Sequence, residues 1–411
     1  MREQINSTKV KIERLTNQLS ATEELAFPYA DSKLAIQQLR NKLGDANQRL
    51  RQIDGMSADL QKSALRDVNI TLVRVSKLAG IISRAANIRN PFEFYRPLIL
   101  LCRTLVDKDV RLILSAEYDY IPFTYPLSSS ELPNFIIIGL PVSEAENVLI
   151  FPLAGHELGH SVWRRFEIDR YFERDIEKHV YQALEDHRQE LSERFPEVKT
   201  LKPGQSLDES PQANTVAAEC AQFVSVQIEE IFADLFALLL FRESYLHAFR
   251  YLVAPTVSQR RYSEYPPTKE RATLLAHYAE RANISIGVEF VGAFVDEAEA
   301  WDSTGKFLNK IVDRAAEKLR DSMFSVAESR LRDLSQPASD GGRDNVKKYF
   351  ELGIPFDKPT SLGDLVNAAW AIVRSNADFE KLGGLHHGLS DLVLKSAELG
   401  EFSELFDAKQ E

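Results

Sequence analysis

The chain has 411 residues, 44% apolar and 27% charged, which points to two or three soluble units with a real core. Its net charge of −11 argues against nucleic acid or an anionic membrane as partner, and its two cysteines, Cys102 and Cys220, are in no paired spacing, which excludes a disulfide framework and points to a reducing compartment. Met1 opens charged, heptad-like sequence with no apolar leader, and "PLILLC" and "LFALLLF" are too short to span a bilayer, so a cytoplasmic protein with no membrane contact is expected.

Residues 1 to about 88 read as helix. In "VKIERLTNQL", Val10, Leu15 and Leu19 share a face with Ile12 beside them. "DSKLAIQQLRNKLGDANQRLRQI" repeats the rule through Leu34, Leu39, Leu43, Leu50 and Ile53. "AFPYADS" interrupts it, with Asp31 or Ser32 as helix cap, and "DGMSAD" interrupts it again before a third helix over roughly 57 to 87. Two arrangements satisfy the pattern: an antiparallel hairpin packed on the body, or a coiled coil that self-associates or recruits a partner.

From "NPFEFYRP" onward prolines cluster, at 91, 97, 122, 126, 133 and 141. "RLILSAEYDYIPF" and "NFIIIGLP" are strand candidates between turn formers. "ENVLIFPLAGHELGHSVWRRF" enters a helix near Leu153, and dense helical charge follows as far as "PEVKTLKPGQSLDESPQAN", an exposed loop. "TVAAECAQFVSVQIEEIFADLFALLLFRESYLHAF" is a long, unusually apolar helical pattern, central to the fold. The remainder, about 286 to 411, is again helical, with a loop at "SQPASDGGRDN".

"LAGHELGH" carries the chemistry. His156 and His160, four apart, share a helical face and can offer two imidazoles to one ion, while Glu157 can take a proton from a water on that ion. With eight histidines in the whole chain, a chance His-Glu-x-x-His is on the order of one per cent. Gly155 and Gly159 are expected to leave room around the metal. A third ligand is still required. "IEEIFADLFALLLF" places Glu230 and Asp234 four apart in an otherwise apolar helix, where a buried carboxylate is costly unless paired or bound to metal. Glu230 as ligand, with Asp234 accepting the free ring N–H of one histidine, satisfies both; Glu229 is expected to be solvated. The competing reading is a surface helix with two solvent-facing histidines and an amphipathic acidic stripe.

His-Glu-x-x-His followed by Glu-x-x-x-Asp on a later helix resembles the gluzincin zinc metallopeptidases, the thermolysin-like clan. The resemblance covers about residues 134 to 240. It implies one zinc ion per chain on His156, His160 and Glu230, Glu157 as base and Asp234 behind the ligands. It also implies a substrate-holding edge strand before the first metal helix, for which "NFIIIGLP" is the candidate. Residues 161 through 229 separate the two motifs, far more than in thermolysin itself, which implies a helical insertion over about 161 to 215. "SEYPPTKERATLL" resembles a His-Pro-rich stretch ending in arginine in some zinc peptidases, with Tyr265 where the histidine would stand. Tyr265 or Arg271 would then serve the tetrahedral oxyanion; a Pro-fixed turn with a structural arginine is the alternative. "LGGLHHGLSD" resembles the Gly-Gly-x-His stretch bearing thermolysin's oxyanion histidine, which makes His386 a candidate against a plain loop or helix-cap histidine. His179, His187, His247 and His277 read as surface or satisfied core residues, and Cys220 as a core cysteine.

The expectation is a mainly α protein with a small β-sheet (α+β): a helical hairpin or coiled coil over 1–88, a zincin-like core over 89–285 and a helical region over 286–411. The expected activity is zinc-dependent hydrolysis of a peptide or protein substrate. A catalytically silent zinc scaffold working through its N-terminal helices, and a zinc hydrolase of a non-peptide amide, are the competing functions.

Overall fold

A computed structural model describes the chain except residues 54, 87–91, 119–121, 126–130, 201–205, 256–260, 262, 264, 288, 299–301, 333, 336, 376–381 and 408–411. Among the described residues helices dominate, with one small sheet, so the class is α+β. Among the described residues no helix is long and apolar enough to cross a membrane. Two compact units divide the chain, Met1–Val148 and Leu149–Glu411, and the stretch expected as one core, 89–285, is shared between them.

In the first unit, α1 (Arg2–Glu23), α2 (Ala30–Gln52) and α3 (Ala58–Ala85) pack on one another, and α4 (Tyr95–Leu105) follows. The buried stripe of α1 is Ile5, Ile12 and Leu19, a seven-residue repeat; Val10 stands outside it, exposed, as does Leu34 on α2. These residues share one core with Ile36, Leu39, Leu43, Val68, Val75 and Ile82, and with Ile113, Phe135 and Ile137 of the sheet. The main apolar stripes of the N-terminal helices are thus buried within their own unit, while Leu60, Ile70 and Val73 of α3 are exposed. Asp31 caps nothing: it lies inside the first turn of α2, where its buried carboxylate accepts from the Tyr95 hydroxyl, the Arg111 guanidinium and the Leu112 N–H. That carboxylate ties α2 to the sheet.

The sheet holds β1 (Arg111–Glu117), β2 (Phe123–Tyr125) and β3 (Phe135–Pro141) in the order β1-β3-β2. β1 and β3 run parallel with Ile113 opposite Ile137, and β2 pairs antiparallel with β3. Both parallel strands are buried almost throughout, which explains their unbroken apolar runs. β3 is therefore the middle strand, with neighbours on both sides, and the edge-strand expectation for "NFIIIGLP" fails on that pairing.

The second unit is built around α8 (Pro211–Phe241), which starts at a Ser210 cap with Pro211 at its first position. Against it pack α5 (Leu153–Arg165), α6 (Ile168–Asp186), α10 (Thr268–Arg281), α11 (Ser303–Glu317) and α12 (Arg320–Arg330). The stretch between the two motifs carries α6 and the short α7 (Arg188–Arg194). The long apolar pattern does not continue unbroken: at Arg242, whose φ is +53°, the chain turns back and starts α9 (Glu243–Val253). No glycine or proline announces this turn, and the Arg242 guanidinium bonds the Asn283 carbonyl and Asp340 across it. Further on, α13 (Asp340–Phe350) begins within the expected loop, with Ser339 as cap, and is followed by α14 (Leu362–Ser375) and α15 (Leu382–Asp407).

Candidate metal centre

α5 and α8 cross antiparallel at close range, and glycine permits the approach. A Cβ on Gly159 would stand 2.8 Å from the Ala233 Cα, and one on Gly155 would stand 2.7 Å from the Phe241 ring. Both glycines face α8 rather than leaving space around an ion. The sequence thus brings two chemically dense helix faces together by removing side chains between them.

At this crossing His156 Nε2 and His160 Nε2 lie 3.2 Å apart, and Glu230 oxygens lie 3.4 Å and 3.5 Å from them respectively. The two rings stand at 87° to each other. His156 Nδ1 is 2.9 Å from Asp234 Oδ1, and His160 Nδ1 is 2.9 Å from Glu229 Oε1. Each Nδ1–H thus faces a carboxylate, which leaves both Nε2 lone pairs and the Glu230 carboxylate directed at the same point. Three acceptors converging in a nearly buried place repel one another unless a proton or a cation lies among them. Ligand atoms set tetrahedrally about 2.0–2.1 Å from a common centre are about 3.3 Å apart; the two Nε2 atoms stand at that spacing, and each has its own Glu230 oxygen near it, Oε2 for His156 and Oε1 for His160.

The metal-free site takes the proton. Burial works against charge on His156, but its hydrogen bonds to Asp234 and Glu230, and their charges, outweigh burial and raise it from 6.5 to about 10. Burial likewise works against the Glu230 carboxylate, and the facing imidazoles and Arg271 outweigh it, lowering it to about 2. Glu157, 5% exposed, is pushed up, chiefly by burial.

Asp234 is 1% exposed and held from three sides. Arg271 Nε and Nη2 reach its two oxygens at 2.8 Å and 2.7 Å, and the Tyr245 hydroxyl donates to Oδ1 at 2.6 Å. Burial opposes ionisation of Asp234, and the Arg271 charge overcomes it, keeping the group anionic. Arg271 is thus placed at the cluster, paired with Asp234 and 3.8 Å from Glu230 Oε2. Tyr265 is exposed, on the segment before α10. His386 falls on α15, with its side chain outside the described residues.

Sequence reasoning missed two participants. Tyr245 lies eleven residues after Asp234, which on one continuous helix would be about 16 Å along the axis. The turn at Arg242 brings it within bonding distance. Glu229, expected in solvent, pairs with His160 and Arg164 instead. The single histidines take the plain roles expected: His187 bonds the Ala183 carbonyl, and His247 packs on Trp370, its pKa lowered to about 3, chiefly by burial. Burial pushes the Cys220 thiol up to about 12, as befits a core cysteine.

Compared with known protein families, curated proteins and solved structures, the chain matches none.

Proposed function

We propose that the chain is a zinc-dependent peptidase of gluzincin type, with a zincin-like core built on α5 and α8. The observation that carries this reading is the convergence of His156, His160 and Glu230, whose ligand atoms all lie within 4.8 Å of one another. The donor set of two imidazole nitrogens and one carboxylate is that of catalytic zinc, which keeps a fourth position for water. A structural site would be closed by a fourth protein ligand; among the described residues the cluster holds three.

His156, His160 and Glu230 would hold the ion. Bound there, zinc supplies Lewis acidity, polarising the scissile carbonyl and acidifying the attacking water. Asp234 fixes the ring of His156 by holding its Nδ1–H, so that Nε2 is the nitrogen presented to the ion. Glu157 takes the proton from the water as it attacks and delivers it to the leaving amine, a task suited to a carboxyl whose affinity for a proton is raised by burial. Peptide or protein is the proposed substrate class; hydrolysis of a non-peptide amide would use the same groups. The scaffold alternative would have to work through N-terminal helices whose main apolar stripes are covered within their own unit.

The test pairs metal content with cleavage of an unstructured protein. Wild type and Glu157→Gln are both expected to hold about one zinc, with hydrolysis at least about a hundredfold slower in the variant. Zinc in both and no cleavage of any substrate by the wild type would overturn the peptidase reading.

A further inference from the structure

We infer that Glu229 is a second positioning residue of the metal centre, holding His160 as Asp234 holds His156, with Arg164 setting Glu229 in place. The inference rests on the metal reading above and adds to it a residue that the His-Glu-x-x-His and Glu-x-x-x-Asp motifs do not contain. One oxygen, Glu229 Oε1, lies 2.9 Å from His160 Nδ1 and 3.0 Å from Arg164 Nη2. Arg164 is one helical turn beyond His160 on α5, so the two side chains leave the same face and meet the same carboxylate. The Glu229 side chain is only 19% exposed, so water does little to weaken these bonds.

The consecutive glutamates of α8 grip opposite nitrogens of one ring. Glu230 Oε1 lies 3.5 Å from His160 Nε2, while Glu229 takes Nδ1. Successive helical residues project about 100° apart, so neighbouring carboxylates can pass on either side of an imidazole. With Nδ1–H donated to Glu229, the tautomer of His160 is fixed and its Nε2 lone pair is left for the ion. Each imidazole is thus backed by a carboxylate, and each carboxylate by an arginine: His156 by Asp234 and Arg271, His160 by Glu229 and Arg164. The Asp234 arm is more deeply buried and has Tyr245 in addition, so its loss is expected to cost more.

The competing explanation is that Glu229 merely ties α5 to α8. Chelator competition on the full chain separates the two, using wild type, Glu229→Ala, Glu229→Gln and Arg164→Gln, with thermal unfolding of each metal-free protein alongside. The positioning role predicts zinc binding 10- to 100-fold weaker in Glu229→Ala. Glu229→Gln, whose amide oxygen still accepts the Nδ1–H, is expected between Glu229→Ala and wild type. The visible spectrum of the Co²⁺ form is expected to change in Glu229→Ala, with metal-free unfolding within a few degrees of wild type. A mere tie predicts the reverse, lowered metal-free unfolding with zinc affinity and Co²⁺ spectrum unchanged, and that result would overturn the inference while leaving the peptidase reading intact. Should Glu229→Ala not fold, Glu229→Gln decides: zinc binding weaker by about threefold or more upholds the role, and wild-type affinity overturns it. No zinc uptake by the wild type would overturn both readings together.

Discussion

His156 sets the pH behaviour of the centre. Its folded-state pKa of about 10 lies above the ordinary 6.5, so in the metal-free protein its proton adds stability that is complete below about pH 6.5 and lost as the pH rises through about 10. On the proposed reading, zinc bound at Nε2 would have to displace that proton. Zinc affinity is therefore expected to rise about tenfold per pH unit from pH 7 toward 9, with close to one proton released per ion bound. Calorimetry in buffers of different ionisation enthalpy measures that release directly, and an affinity flat across this range would show that His156 carries no extra proton there before the ion binds. The cluster of His156, His160, Glu230 and Asp234 was legible in the sequence because each pair lies within one helical turn, where spacing alone fixes the shared face. Glu229 and Tyr245 were not, because their positions follow from a helix crossing and from a turn at a residue that carries no turn signal.

The α5–α8 crossing depends on Gly159 more than on any ligand. Its missing Cβ lets the backbone of Ala233 come close, and Ala233 cannot retreat without moving α8. Gly159→Ala is expected to cost about 1–3 kcal/mol in urea unfolding and to weaken zinc binding as well, since His160 and Glu230 sit on opposite sides of the widened gap. Wild-type stability and affinity in that variant would show that the helices cross elsewhere. Element type was readable where pattern and length agreed, as in α2, α5, β1 and β3. It was misread where a polar, glycine-rich stretch became helical, at the start of α13. There Asp364 accepts from the Ser339 N–H, and a Cβ on Gly342 would collide with that carboxylate, so glycine is the residue that fits this helix start. A position defined by a partner 25 residues away leaves no mark in local composition.

For the molecule as a whole, the N-terminal helices bear on association. A coiled coil needing a partner would keep its apolar stripe uncovered; here Ile12, Leu19, Leu39 and Leu43 are covered by the other helices and the sheet of their own unit. Leu43→Ala is accordingly expected to lower stability by about 2–5 kcal/mol and to leave the mass in solution unchanged, as read by denaturant unfolding and light scattering. A change of oligomeric state with little loss of stability would restore the coiled-coil reading. The sequence showed the stripe but not its partner, because an amphipathic helix pattern is the same whether the face meets its own chain or another.

The central claim is that one ion is held by His156, His160 and Glu230, and X-ray absorption at the zinc edge tests it most directly. Protein loaded with one equivalent is expected to show only nitrogen and oxygen neighbours at about 2.0–2.1 Å, with the outer-shell scattering of two imidazoles falling to one in His160→Ala. A sulfur shell near 2.3 Å, or a spectrum that His160→Ala leaves unaltered, would place the metal elsewhere and contradict the account.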